Sequence, residues 1–348
     1  MTSNREHGVG SLTRGTRPLH IAFLGCGFIT GVHSRHLKVL RDDIVRSYAS
    51  RDGVKAESYC RRYFGAGSYS SYTAAIEDRG VDAVVIAVPP SLHLELTLQA
   101  LSAGKHVLVE KPAYLRMEDY RRVQLARDKA GTVLLVGEND HYKPLAVCLR
   151  RLLREGVIGD MLFAYFATLA KRFKDGDDWR NDETMAGGDA FFEEGIHWLH
   201  LANSLGPTMT QARGFRPAVS RDGADVRVKS MMVSFGYDNG AVGTLFYSRE
   251  VPSLLRGVRV SKLFGCSGII SFESNGAVVL VRGSRPPRLV LPGFRDIRGY
   301  QAMYRDFLGA IRSNRVPEMS LEVAMVDQRL MEQIYTNLIP VTSTSAIV

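Results

Sequence analysis

Apolar residues in the first part of the chain fall in short unbroken runs, separated by glycine turns and amphipathic stretches. His20–Leu24 is the first run and reads as a buried strand. Gly25-Cys26-Gly27 follows at once, then apolar positions at helical spacing from Ile29 to Leu40. Ile44–Ala49 predicts a second strand, with a helix after it to about Phe64. Val81–Val88 is apolar almost throughout, as a strand covered on both faces requires. Leu92–Ala103 (helix), Lys105–Val109 (strand), Glu118–Lys129 (helix) and Val133–Val136 (strand) continue the alternation. Strand and helix in turn imply right-handed crossovers and a doubly wound parallel sheet.

The pattern then changes. Leu162–Leu169, Val226–Phe235, Ala241–Arg249, Val258–Phe264, Ile269–Glu273, Ala277–Val281 and Leu289–Leu291 are strand-like, with few helices between them. Asp238-Asn239-Gly240, Gly265-Cys266-Ser267-Gly268 and Asn275-Gly276 are hairpin signals. The segment from Met232 to Tyr237 alternates large and small residues, which predicts an antiparallel open sheet with one face packed and one presented. Helices are expected over Tyr300–Arg312 and from Leu321 to about Asn337. The expected division is a disordered polar leader over 1–18, a dinucleotide-binding α/β domain over 19–140, and an α+β domain over 141–348. The leader is Gly-rich without an apolar core, unlike a secretory signal.

Composition narrows the classes. The chain has 348 residues, 45% hydrophobic and 23% charged, enough for a sizeable core. No apolar run reaches the ~18 residues of a membrane span. Four cysteines, far apart and without a C-x-x-C pair, indicate neither a zinc site nor a disulfide framework. They suit the reducing cytoplasm. The formal net charge is +9, but the basic residues are dispersed and no aromatic-interleaved basic stripe occurs. A phosphate-bearing cofactor accounts for such an excess more simply than a nucleic acid or a membrane partner.

Candidate chemistry collects at the carboxyl ends of the first-half strands, where ligands bind in such sheets. Gly25 permits a tight turn and Gly27 lets a pyrophosphate approach the next helix's N-terminal amides. Thr30 stands where a third glycine is usual, with Gly31 beside it. The second strand ends in Ser50-Arg51-Asp52. A hydroxyl and a guanidinium suit a 2′-phosphate, which favours NADP(H) over NAD(H). The alternative is that Asp52 grips a ribose hydroxyl of NAD.

Five segments in order resemble the Gfo/Idh/MocA oxidoreductases, relatives of glucose–fructose oxidoreductase and inositol dehydrogenase. They are Gly25-Cys26-Gly27-Phe28-Ile29, Val88-Pro89-Pro90-Ser91-Leu92-His93, Ala103 to Pro112 (AGKHVLVEKP), Trp179-Arg180, and Gly187-Gly188 followed by Gly195-Ile196-His197. The resemblance implies that Gly25, Gly27, Phe28, Ile29, Ser50, Arg51, Pro89, His93, Glu110, Lys111, Trp179 and Arg180 contact the cofactor, with Glu110 on a ribose. It implies a catalytic Lys111 beside the nicotinamide and a catalytic His197 as acid/base. Lys111 would steady charge on a substrate oxygen, and His197 would exchange its proton.

The family aspartate four residues before that histidine is here Glu193, expected to share a helical face with His197, orient it and bind substrate. The family's third glycine is Asp189 and its later aspartate is His200, departures that point to a specialised substrate or to lost activity. Asn139 to Pro144 lies where the family lines the mouth of the site, so Tyr142 either touches substrate or packs. Lys171-Arg172-Phe173-Lys174 either faces an anionic substrate such as a nucleotide sugar or ends a solvated strand.

The resemblance implies a homo-oligomer, dimer or tetramer, through the free face of the second sheet. It would also return the last helix to the first domain. The expected function is hydride transfer between a nicotinamide and a carbinol or carbonyl carbon of a sugar-like or other hydroxylated metabolite, with a ketoreductase as the preferred version. Two alternatives remain: a non-catalytic cofactor-binding sensor, and an NAD-retaining enzyme that oxidises transiently to permit elimination or hydrolysis. No metal is expected.

Overall fold

The computed structural model describes residues 17–170, 185, 187–217, 229–251, 259–274, 276–283 and 286–340. The expected leader, Lys171 to Lys174, Trp179 and Arg180 lie outside the described residues, apart from the leader's last two positions.

The first half builds a parallel sheet from β1 (Leu19–Leu24), β2 (Ile44–Ala49), β3 (Gly67–Tyr69), β4 (Ala83–Ile86), β5 (His106–Glu110) and β6 (Leu134–Gly137). Their order is β3-β2-β1-β4-β5-β6, so the chain reverses direction beside β1. That reversal opens the crevice in which such sheets take ligands. All of β4 is buried, because helices cover both faces. Each of its valines stabilises the fold by about 1.5–3 kcal/mol through burial. Helices α1 (Phe28–His36), α2 (Gly53–Tyr63), α3 (Tyr72–Glu77), α4 (His93–Ser102) and α5 (Met117–Ala130) make the crossovers. The helix expected to run to Leu40 tightens into a 3₁₀ turn over Leu37–Leu40. Strand β3 and helix α3 are too short to leave a periodic signal in the sequence.

After α6 (Pro144–Arg154), the second half forms a nine-stranded sheet. Its strands are β7 (Met161–Leu169), β8 (Met209–Arg216), β9 (Ser230–Tyr237), β10 (Val242–Ser248), β11 (Val260–Gly265), β12 (Gly268–Glu273), β13 (Val279–Gly283), β14 (Arg288–Val290) and β15 (Ile339–Pro340). The pairing is mostly antiparallel; β7 with β10 and β8 with β15 are parallel. The three glycine-rich segments join β9 to β10, β11 to β12 and β12 to β13. Helix α7 (Ile196–Asn203) packs under this sheet, and α8 (Tyr300–Ser313) and α9 (Leu321–Thr336) close the chain.

Two hydrophobic cores result. Tyr304 and Phe307 of α8 and Leu321 and Ala324 of α9 lie in the first, with the parallel sheet. Leu330, Met331 and Ile334 of the same α9 lie in the second. Among the described residues, no helix is long and apolar enough to cross a membrane.

Candidate active site

The glycine turn after β1 is shaped by its neighbours. Gly25 has φ +107°, and a Cβ there would run into the Ala87 carbonyl. Around Gly27 a Cβ would meet nothing within 4 Å, and Gly27 caps α1 without a side-chain hydrogen bond. Open space, free leading amides and a positive helix end suit a pyrophosphate. Thr30 is buried and donates to the Gly25 carbonyl at 2.7 Å. Gly31 takes over the close-packing role, since a Cβ there would lie 2.8 Å from the Tyr63 hydroxyl on α2. Phe28 is 72% exposed at the mouth of the turn.

At the end of β2, Ser50 accepts from the Asp52 amide (3.2 Å) and Asp52 caps α2 through the Lys55 amide (3.2 Å). Arg51 is exposed between them. His93 is buried, its ring bonded to the carbonyls of Val88 (2.9 Å), Pro112 and Ala113 (both 3.1 Å). It ties the end of β4 to the loop after β5, while Pro89 borders that loop. Burial holds the His93 ring below the usual histidine range against those carbonyls.

Glu110 ends β5. Its Oε1 lies 2.7 Å from His33 Nε2, and the other nitrogen of His33 is 2.7 Å from the Tyr304 hydroxyl. Glu110 Oε2 accepts the Lys111 amide at 3.2 Å, before a cis Lys111-Pro112 bond. A buried chain from α8 through α1 thus fixes the backbone of Lys111. The Lys111 ammonium donates to the Glu193 carbonyl at 3.0 Å.

Glu193 lies in a π-turn, Phe191–Gly195, that runs straight into α7. Asp189 accepts from the amides of Phe191 (2.9 Å) and Phe192 (3.0 Å) and from the Tyr335 hydroxyl (2.6 Å), so this residue caps the turn where the family has glycine. The wider π-turn changes the face on which each side chain emerges. The Glu193 carboxylate goes to Arg249 of β10 at 3.1 Å, and the same guanidinium pairs with Glu194 at 2.8 Å.

The carboxylate that holds His197 is Glu138, not Glu193. His197 Nδ1 lies 2.6 and 2.8 Å from the two Glu138 oxygens, while Nε2 has no hydrogen-bond partner among the described residues. Glu138 follows β6 and is buried, whereas the His197 side chain is 18% exposed. Burial pushes the Glu138 carboxyl up, but the His197 imidazole outweighs it and holds the group below the usual carboxylate range. Asp140, two residues on, pairs with Lys143 at 2.6 Å. Burial opposes its ionisation; Lys143, His197 and Lys111 bring it down to about 2. The Lys111 ammonium thus lies on the carbonyl of Glu193, four residues before His197, whose ring lies near Asp140. Donor atoms of Glu138, Asp140 and His197 lie within 4.8 Å of one another, and Lys143 supplies the positive charge beside them.

The structure does not bring Tyr142 to this cluster. Its buried hydroxyl donates to Asp306 at 2.7 Å and accepts from the Met319 amide at 3.1 Å, which is a packing role. The sequence reading passed over Glu138, Asp140, His33 and Arg249. Glu138 follows the carboxyl end of a strand, so the rule that found Lys111 reaches it too.

The comparisons agree with this architecture. Residues 19–138 match the family model described as "Oxidoreductase family, NAD-binding Rossmann fold", and residues 147–260 match the "GFO/IDH/MocA C-terminal domain". The chain belongs to the Gfo/Idh/MocA oxidoreductase family. It is similar to dTDP-3,4-didehydro-2,6-dideoxy-alpha-D-glucose 3-reductase of Streptomyces violaceoruber, 36% identical over 167 residues, 48% of each chain. To the myo-inositol 2-dehydrogenase of Thermotoga maritima it is 25% identical over 314 residues, 87% of this chain and 91% of that protein. The solved levoglucosan dehydrogenase, in complex with NADH and levoglucosan, superposes with a TM-score of 0.80 at 22% identity, covering 92% of this chain and 98% of that one. The protein is an NAD(P)-binding oxidoreductase acting on CH-OH or C=O groups.

Proposed function

We propose that the protein is an NADP(H)-favouring ketoreductase of a sugar-like metabolite, in which Lys111 and His197 act on one substrate oxygen. The observation that carries this reading is the His197–Glu138 pair, with the Lys111 ammonium held on the carbonyl of Glu193 four residues earlier in the chain. A nicotinamide held at the glycine turn would supply hydride chemistry to a carbonyl carbon. The chain's own groups manage the oxygen: Lys111 steadies its growing negative charge, and protonated His197 delivers a proton from Nε2. Its Nδ1–H stays on Glu138, which stabilises the imidazolium and selects the productive tautomer, as in other carboxylate–imidazole pairs. In the oxidation direction the same Nε2 accepts the proton. Glu193 contributes its carbonyl to Lys111 and, through Arg249, a rigid wall to the substrate space.

Asp52 is engaged in capping α2, which leaves Ser50 and exposed Arg51 for a 2′-phosphate. Phe28, Ile29 and Pro89 border the dinucleotide, and Trp179 and Arg180 complete its site by family likeness. Glu110 reaches the ribose edge only while His33 holds it. The name of the Streptomyces relative directs the choice of substrate to a nucleotide-linked keto sugar. All four cysteines are free, which suits the cytoplasm. On the open face of the second sheet Phe163 and Val242 are neighbours in register, 55% and 48% exposed, and a second copy is the natural cover. The test is oxidation of NADPH against NADH with a panel of keto sugars. Faster turnover with NADPH supports the reading; equal or reversed preference removes the Ser50-Arg51 argument, and cofactor binding without any turnover favours a sensor.

A further inference from the structure

A lysine carries its charge on a flexible stem, so the role just given to Lys111 requires something that fixes the ammonium. Among the described residues its one hydrogen-bond partner is the Glu193 carbonyl, at 3.0 Å. The other N–H groups of the ammonium are left for a substrate. That carbonyl belongs to the π-turn over Phe191–Gly195. Such a turn departs from the regular helical ladder, and its carbonyls can serve side chains instead. The Ala190 carbonyl, just before the turn, does the same for the Tyr247 hydroxyl at 2.9 Å.

The shape of the turn has an identifiable source. Asp189 Oδ1 accepts from the amides of Phe191 and Phe192 at 2.9 and 3.0 Å and from the Tyr335 hydroxyl at 2.6 Å. Tyr335 stands in the last turn of α9, remote in sequence. Its ring lies 6.4 and 6.5 Å from those of Phe191 and Phe192, and the Phe191 ring covers Gly195 so closely that a Cβ there would collide with it. Burial, and then Asp189, push the Tyr335 hydroxyl well above the usual phenol range, so it stays the donor. A glycine at 189, where the family has one, would offer these three groups no acceptor. Each non-covalent step from α9 to the ammonium is thus a hydrogen bond of 3.0 Å or less.

We propose that Asp189 and Tyr335 are positioning residues for Lys111. The carboxylate shapes the π-turn, the phenol on α9 fixes the carboxylate, and the carbonyl presented by that turn holds the ammonium where the substrate oxygen arrives. This rests on the reaction scheme above, in which Lys111 steadies that oxygen.

Tyr335→Phe keeps the ring and removes only the hydroxyl. It is expected to lower kcat for keto-sugar reduction by about 10- to 100-fold, the scale of a displaced catalytic group, with KM for NADPH unchanged. In the Lys111→Ala background the same change should cost nothing further, because the two act as a unit. Asp189→Ala should behave alike and serves if Tyr335→Phe does not fold. A second measurement uses the whole protein without cofactor or substrate. Acetylation of Lys111 by a succinimidyl acetate, followed by peptide mass spectrometry, should run several-fold faster in either variant. Lys105, held on the Asp78 and Val81 carbonyls at 2.7 Å, is the internal control and should not change. Parent-like kcat and acetylation in both variants, or a full further loss in the Lys111→Ala background, overturns the proposal. Should Lys111→Ala keep full turnover, the reaction scheme fails instead, while the acetylation rates still decide whether Asp189 and Tyr335 hold the ammonium.

Discussion

Glu138 and His197 meet across the crevice with 2.6 Å between carboxylate and imidazole, one contributed by the end of β6 and the other by α7. The acid is sealed and the base is at the water's edge. This division leaves a single ring nitrogen able to exchange a proton with a bound molecule.

Lys111→Ala and His197→Ala are each expected to lower turnover at least ~100-fold, a common contribution from one acid–base group. Steady-state rates read the loss, and fluorescence titration with NADPH should show binding preserved. Near-normal rates would remove either residue from the reaction.

Glu138→Gln should cost more in kcat than Glu193→Gln. The first keeps the shape but lets the amide donate to His197 Nδ1, which selects the wrong tautomer. Loss of carboxylate in such pairs costs up to about 10⁴-fold. The second only unbalances Arg249, which retains Glu194. Parallel kinetics of the two variants decide the point, and a larger effect from Glu193→Gln would restore that residue as the partner.

Gly31→Ala should destabilise the first domain by about 1–3 kcal/mol, as overpacking does. The new methyl group meets the Tyr63 hydroxyl. Thermal unfolding of the single variant, and of the double variant with Tyr63→Phe, checks the cause. The double variant should recover most of the loss.

Acid stability should depend on the Arg127–Glu322 pair, 2.7 Å apart between α5 and α9. Burial would raise the Glu322 carboxyl, but Arg127 and local hydrogen bonds outweigh it and bring it down to about 2. A depressed carboxyl stabilises the fold above its unfolded value, about 4.3. That stabilisation disappears as the pH falls from there toward 2. Arg127→Met should therefore unfold earlier near neutral pH and show a flatter acid decline in melting curves. Equal slopes would assign the acid sensitivity to other groups.

Much of the sheet was legible because buried parallel strands are written as unbroken apolar runs between glycines. Lys111 and His197 drew attention because the segments around them are long and distinctive. What escaped was set by three-dimensional neighbours. Glu138 belongs to no distinctive segment, and its role arises only when α7 folds against the end of β6. Glu193 was misjudged because i, i+4 spacing assumes a regular helix, whereas a π-turn carries it toward Arg249. Tyr142 has the polarity of a binding residue, yet Asp306 and the Met319 amide, remote in sequence, engage its hydroxyl.

Helix α9 is embedded at one end in the first core and at the other in the second, with Asp327 midway along it. The two halves of the molecule are pinned by one rod, so a gene cut near codon 140 would strip each fragment of a wall it cannot replace. Any swing of one lobe against the other must carry that rod with it, and His200, whose Nδ1 lies 2.7 Å from Asp327 Oδ2, travels too.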